Sequence, residues 1–490
     1  MAINNARLNK ILKNVGYIIC GLQFLAGIMA GIYMVKLDVI PNKYIVLLAI
    51  VHVVLVAAFV VLQRWQLGGL IAKFVSLIIS GALVWASAYM GYTYNQLKAM
   101  AGIDTKIDNI HVYVMKEDPA QNMEDAQDYT FGILRVQDRK NTDTIISETE
   151  EDLGHSLKIE EYNNVSELIQ SLYDQKVQAV ILNSAYISFV TDDERYADFV
   201  DKVRSIAMKD IESQLEDSEI KGEYLYSGEH VFTVYVSGVD TREEINVNSN
   251  SDVNILITAN LDTHQILMIS TPRDYYVPLS ISDGVEDKLT HAGGYGIDVS
   301  KDTLGMLYEV NIDDYVRINF TGFTKIIDEL GGITVYSEHD FWVDDYHFTK
   351  GYNNLDGEEA LAFTRCRKAF TDGDLQRGKH QMLVIEAAIN KMVSSDMLKN
   401  YTEVLDAISD CMITSMTYDE ISDLVKLQLD EMESWDIVKY SVTGFDSMST
   451  TTYSAYGQEL YVMIPDEASV EKAKTYLEQI YAGEKIRATE

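Results

Sequence analysis

Five cations, Arg365, Arg367, Lys368, Arg377 and Lys379, fall within fifteen positions of a 490-residue chain whose formal net charge is −35. The stretch reads FTRCRKAFTDGDLQRGKHQ from Phe363 to Gln381. A charge run of this kind is usually a solvated face. The spacing allows a second reading. Arg377 and Gln381, four apart, share one face of a helix, whereas Arg365 and Arg367, two apart, share a side only on extended backbone. A helix N-terminus with arginine donors suits an anion, and the two phosphates of a pyrophosphate use several such forks. Asp372 and Asp374 interrupt the cations, so the site would bind charge and also handle a proton.

A second set of groups comes from three strand-like runs. HVFTVYVSG, VNILITANL and QILMISTP each read as strands, and the polar link DTH joins the last two. With residues 262 and 264 facing each other, residue 273 falls opposite about 253, which sets Arg273 beside Asp252 at the open end of the hairpin. Asp240 leaves the first strand in SGVDTR, and it reaches the same rim if that strand runs antiparallel to the second. Two close carboxylates repel unless a cation or proton lies between them, and their hard oxygens suit Mg²⁺ when substrate phosphates complete its shell. Arg273 adds a bidentate fork for phosphate. A surface salt bridge from Arg273 to Asp252 or Asp274 is the plainer account of the same residues.

Helices must hold these groups. LDGEEALAFTR reads as one, and RGKHQMLVIEAAINKM as another, with Met382, Ile385, Ala388, Ile389 and Met392 forming the stripe of a helix packed on a core. Upstream, HVYVM, FGILRV and VQAVILN alternate with helical patterns such as VSELIQSLYDQK, which predicts an α/β layer with parallel pairing. The charged run DFVDKVRSIAMKDIESQLEDSEIKGE is expected to be a connecting helix.

Charge and hydropathy divide the chain. Residues 1–100 hold eight Lys and Arg against one acid, Asp38, and the remainder holds 32 basic and 74 acidic residues. A body so acidic repels nucleic-acid phosphates, which excludes a DNA-binding role for it. Three apolar runs, Val15–Val35, Tyr44–Leu62 and Phe74–Tyr92, each approach the ~20 residues that cross a bilayer. Arg7, Lys10 and Lys13 precede the first, Lys36 and Lys43 sit in the first turn, and Arg64 and Lys73 flank the second. The bias favours a cytoplasmic N-terminus with everything after Tyr94 outside. Cys20 lies in the first run, and Cys366 and Cys411 have no metal or redox spacing; no essential disulfide is expected.

The segments SDVNILITANLDTHQILMISTPRDYYVPL, DKLTHAGGYG, YVRINFTGFTKIIDELGGITV and the R-x-R…D-x-x-R-x-x-x-Q run of 365–381 together resemble the LytR-CpsA-Psr family of Gram-positive bacteria. Several spans followed by an additional domain resemble its capsule-polysaccharide branch. The resemblance implies an α/β/α catalytic domain with a mixed sheet around an apolar tunnel for a polyprenyl chain. TLGMLYEV and FTKIIDELGGITV could line that tunnel or be ordinary core. It implies transfer of a glycopolymer from undecaprenyl diphosphate to a peptidoglycan acceptor at a Gram-positive cell membrane, with capsule-synthesis machinery as a candidate partner. On the matching positions it assigns Arg273, Arg365, Arg367, Arg377 and Gln381 to the diphosphate, with Lys379 where many relatives have arginine. Asp240 and Asp252 match magnesium-associated acids, and Asp374 a plausible general base; Arg273 and Arg377 are carried as catalytic with it. Lys288 and His291 lie in a family-like loop, where His291 could equally be structural. A diphosphate hydrolase and a non-catalytic membrane regulator or lipid-binding protein are the rival functions. The expected organisation is three transmembrane helices in 1–104, an α/β accessory domain in 105–225, the catalytic domain in 226–395, and a C-terminal α/β extension in 396–490 packed on it.

Overall fold

The structure is a computed structural model that describes residues 2–191, 195–215, 225, 228, 230–239, 245–367, 369–370, 373–392, 408–409, 411–431 and 433–487. It separates into two compact units.

The first unit is helical. Helices α1 (Ala2–Leu37), α2 (Asn42–Leu62) and α3 (Gln66–Met100) contain stretches with mean hydropathies of 2.0, 3.3 and 2.0, each long and apolar enough to cross a bilayer. Their burial is inverted relative to a water-soluble bundle. Leu25, Val54, Leu67, Phe74 and Trp85 are exposed, while Gln23 and Ser76 are buried against each other, the Ser76 hydroxyl donating to Gln23 Oε1 over 2.6 Å. Small residues let α1 and α3 approach closely: a Cβ on Gly91 would meet the Tyr33 ring at 3.0 Å. A fourth helix, Tyr418–Glu431, belongs to this unit as well. The Tyr418 hydroxyl donates to the Leu37 carbonyl, Lys426 pairs with Asp38 at 2.9 Å, and Lys43 pairs with Asp430. Part of the segment expected as a C-terminal extension over 396–490 thus belongs to the helical unit.

The second unit holds two large sheets beside several two-stranded ones. In the first, β1 (Thr105–Met115), β2 (Thr130–Leu134), β3 (Lys158–Tyr162), β4 (Ala179–Asn183) and β5 (Val203–Gln214) lie in the order β3-β2-β4-β1-β5. β2 runs parallel to β3 and β4, the pairing the alternation predicts, while β1 is antiparallel to both β4 and β5. β5 corrects the sequence reading, which made this charged run a helix. Ala207, Ile211 and Leu215 repeat every four residues, a spacing that satisfies a helical stripe and one face of a strand alike, while a bulge before Ala207 turns Val203 to the other core. An eleven-residue partner strand decides between them.

The larger sheet has six strands: β6 (Val231–Val239), β7 (Val253–Asn260), β8 (Gln265–Ser270), β9 (Asp314–Asn319), β10 (Met412–Thr414) and β11 (Asp436–Ser441), in the order β10-β9-β6-β7-β8-β11. The β9–β6 and β8–β11 pairs are parallel and the others antiparallel, so the sheet is mixed. Both edges come from beyond residue 395, so the boundary expected there falls inside this layer. Alternation along the strands faces two cores. Leu256, Leu267 and Ile269 pack with Leu304, Tyr308 and Leu477. Ile255, Ile257 and Met268 pack with Met382, Ile385 and Ile389 of the helix Gly373–Met392. Leu304 and Tyr308 of TLGMLYEV thus serve as core. The two sheets are tied together within this unit: Lys106 pairs with Asp298 at 2.9 Å, and Asn248 Nδ2 donates to Asp108 Oδ1 over 2.9 Å.

Candidate functional site

The hairpin register brings Arg273 to its place. Ser270 pairs with Ile255 and Thr271 N donates to Asn254 O, so continuing this register two residues brings Arg273 opposite Asp252, one residue from the expected register. The connection accounts for the shift: it spans Leu261–His264, with His264 at φ 52°. Arg273 Nη1 donates to Asp252 Oδ1. β6 is antiparallel to β7, as expected, and Asp252 N donates to Gly238 O. Asp240, Lys368 and Asp372 lie outside the described residues.

The helix Gly373–Met392 supplies the opposite wall. A Cβ on Gly378 would stand 2.5 Å from Ser270 Oγ, so only glycine lets this helix come so close to the end of β8. That contact closes a cleft lined by Asp252, Arg273, Asp374, Arg377 and Gln381, with Ser441 and Val442 from the end of β11. Both of the cleft's guanidiniums stand beside carboxylates: the buried Arg377 pairs with Asp374, and the half-buried Arg273 with Asp252.

Two aspartates 100 residues apart respond in opposite ways. Burial pushes the Asp274 carboxyl up, but Lys288, 2.9 Å away, and Arg273 and Arg377 outweigh it and hold the group below the ordinary range. Burial also pushes Asp374 up, and there Arg377, Arg367 and Arg273 do not offset it; Asp274 adds to the rise. Burial lowers Arg377 in turn. The cleft therefore holds one acid raised toward accepting a proton, Asp374, beside the desolvated Arg377 and the half-buried Arg273, with the firmly ionised Asp274 just behind it.

Other expected residues stand apart. Arg365 ends the helix Gly357–Arg365, is exposed, and lies with its guanidinium 5.5 Å from the centre of the Phe320 ring. Arg367 is exposed, yet its charge reaches Asp374 and Arg377. Lys379 is exposed and does not line the cleft; two residues from both Arg377 and Gln381, it falls on the other side of the helix. His291 is buried, with Nδ1 2.8 Å from Asp287 Oδ1 and its ring against Phe189 of the smaller sheet's side, a packing role. His380 is buried among Phe341 and Phe363 and is pushed down to about 4 by that burial, so it stays neutral. The sequence reading took Asp274 only as a salt-bridge partner and left Lys288 without a task. Their signal was adjacency: an acid directly after Arg273, and a lysine opening the helix Leu289–Tyr295.

A cleft of buried arginines and carboxylates at the carboxyl end of a mixed sheet defines a class of anion-handling protein. Residues 196–477 match the model of the LytR_cpsA_psr family, and the chain belongs to that family. Similar proteins include two described as polyisoprenyl-teichoic acid–peptidoglycan teichoic acid transferase TagU. The one from Enterococcus faecalis is 35% identical over 195 residues, covering 39% of this chain and 64% of that protein. The one from Bacillus cereus is 35% identical over 212 residues, covering 43% and 69%. The chain thus spans just under two thirds of the Enterococcus relative. The crystal structure of B. subtilis TagV is 27% identical, with a TM-score of 0.43 over 53% of this chain and 100% of that one.

Proposed function

We propose that this protein is a membrane-anchored transferase that moves a glycopolymer from a polyprenyl diphosphate to peptidoglycan outside the cell. The observation that supports the reading is the cleft itself: the half-buried Arg273 and the desolvated Arg377 converge with Gln381 and with Asp374, whose carboxyl burial raises. Guanidinium forks match phosphate oxygens, and desolvation strengthens each such bond.

In the proposed reaction a peptidoglycan sugar hydroxyl attacks the phosphorus next to the polymer's sugar. A new P–O bond forms, the P–O bond to the outer phosphate breaks, and lipid monophosphate leaves with the electron pair. Asp374 takes the hydroxyl proton. Arg273, Arg377 and Gln381 hold the phosphate oxygens, with Arg367 and Arg365 extending the positive field along the approach. Asp252, about a quarter exposed on the cleft with Oδ1 on Arg273, offers the hard oxygen that suits Mg²⁺, and Asp240 would be its partner. Bound there, the ion would neutralise charge developing on the phosphates. Three apolar helices support membrane anchoring, and the basic N-terminal flank supports a cytoplasmic N-terminus. The capsule polymer is the substrate that the added N-terminal domain favours.

Full-length protein incubated with a lipid diphosphate-linked glycan, with and without peptidoglycan, tests the reading. Polymer joined to peptidoglycan is expected. Free polymer phosphate formed equally in both reactions would make the protein a hydrolase, and binding without turnover would make it a lipid-binding regulator.

A further inference from the structure

Tyr456 is 65% exposed, yet the backbone that carries it is braced. It sits in the loop between the paired strands Gly444–Ser449 and Leu460–Pro465. Within that loop Gly457 N donates to Thr450 O over 2.8 Å and Gln458 N to Ala455 O over 3.0 Å. The loop is also fastened outward: Ser454 N donates to Asp287 Oδ2 over 2.7 Å, Gln137 Nε2 to Tyr453 O over 3.2 Å, and Ser166 Oγ to Gln458 Oε1 over 2.8 Å. An aromatic ring held in solvent by so many ties is preorganised for a ligand rather than left over at a loop tip.

Tyr456 forms one wall of a groove of about 410 Å³, inside the ~300–1,000 Å³ range of ligand clefts. The side of the smaller sheet contributes Tyr162, Glu167, Gln170 and Tyr196 to the lining, together with two cations, Lys176 and Arg195. Tyr196 fixes the floor by donating its hydroxyl to Gln170 Oε1 over 3.2 Å. Phenol rings interleaved with amides, one carboxylate and two cations fit a ligand with apolar C–H faces and a rim of hydroxyl and acidic groups. That is the chemistry of a sugar chain.

The groove is also near the cleft. Tyr456 and Tyr461 are five residues apart, so at most about 18 Å of chain separates them. Tyr461 is held high by burial and by Asp446, and the charges of Asp274 and Asp374 reach it. The residues leading into the same hairpin, Ser441 and Val442, line the cleft.

We infer that the groove between Tyr456 and the smaller sheet is a second glycan subsite, which grips a sugar chain a few units away from the end that reacts in the cleft. The inference rests on the transferase reading for what that chain is: either the incoming polymer or the peptidoglycan strand. It gives the N-terminal sheet a task, that of selecting chains by length and composition before their ends reach the arginines.

The test is equilibrium binding by the full-length detergent-solubilised protein. The two probes are a soluble peptidoglycan glycan-strand oligosaccharide and a lipid-free capsular polysaccharide, and the one that binds identifies the source. Tyr456→Ala should weaken binding by about three- to tenfold, the range for loss of a ring contact. Tyr456→Phe should retain most of it. Tyr352→Ala, which removes a ring 79% exposed elsewhere, should change nothing. Failure of the wild-type protein to bind either probe, or equal weakening by Tyr352→Ala, overturns the subsite. Binding that depends on Tyr456 in a protein showing no transfer at all supports the groove and overturns only the transferase reading.

Discussion

The end of β8 and the start of the helix Gly373–Met392 present the same chemistry to one cleft, an arginine beside an aspartate, and put it to opposite uses. At the β8 end, Asp274 is surrounded by Lys288 and Arg273 and stays ionised. At the helix start, Asp374 has Arg377 as its close partner, and burial wins. The difference teaches that the placement of charges around a buried carboxylate, and not the number of cations, separates a fixed scaffold charge from a group able to exchange a proton: Asp274 has Lys288 2.9 Å away, whereas Asp374 has Asp274 itself as a like charge.

The largest effect is expected at the scaffold. Asp274→Asn leaves Lys288 and Arg273 without their shared buried anion and should cost about 3–5 kcal/mol of stability, read by chemical unfolding of the solubilised protein. The wild-type contribution has a definite pH window. Because the folded value is depressed, it is present above the ordinary aspartate value of about 3.9 and is lost as pH falls through the lowered one. Stability of Asp274→Asn equal to wild type at neutral pH would erase the contrast.

Next comes the phosphate grip. Arg377→Ala and Arg273→Ala each remove a charge-assisted fork worth about 1.5–3 kcal/mol, so transfer should fall roughly ten- to over a hundredfold while the fold survives. Lysine at position 377 should restore only part, since a point charge lacks the bidentate geometry. Wild-type rates in both alanine variants would return these residues to structural salt bridges.

Asp374 should then set the acid limb of the rate profile. Its raised value means the base is lost as pH falls at a point above about 3.9, and Asp374→Asn should abolish that limb along with most of the rate. A limb unchanged in the variant would assign the proton elsewhere.

The smallest effects belong outside the cleft. Arg365→Ala should reduce transfer by only a few fold, and Lys379→Ala by less, because exposed charges are screened by solvent. A loss at Lys379 as large as that at Arg377 would extend the site around the far side of the helix.

These contrasts also mark what the sequence could reveal. Apolar spacing located the three long helices, the β7–β8 hairpin and the helix carrying Arg377, because each follows one clear period. The i, i+4 relation of Arg377 and Gln381 placed both on the cleft, and the same rule sets Lys379 away from it. The strand β5 was hidden because four-residue spacing fits two periods at once. The split of the C-terminal segment was hidden for another reason: Lys426 and Tyr418 look like ordinary surface residues until Asp38 and Leu37, some 380 residues earlier, are brought beside them. The opposite behaviour of Asp274 and Asp374 was likewise out of reach, since it depends on how deeply each is buried and on the distant Lys288.

The placement of β11 has a consequence for how the molecule is made. Gln265 and Asp436, which face each other across β8 and β11, are 171 residues apart. At ~5–20 residues per second, synthesis needs roughly 9–34 s to supply the partner after β8 has emerged. Throughout that interval Ile266, Met268 and their neighbours form an open, apolar sheet edge, the kind that templates aggregation. A nascent chain of this protein is thus most vulnerable late in its synthesis, and stalled or truncated products ending before residue 436 are the ones a cell's quality control would have to clear.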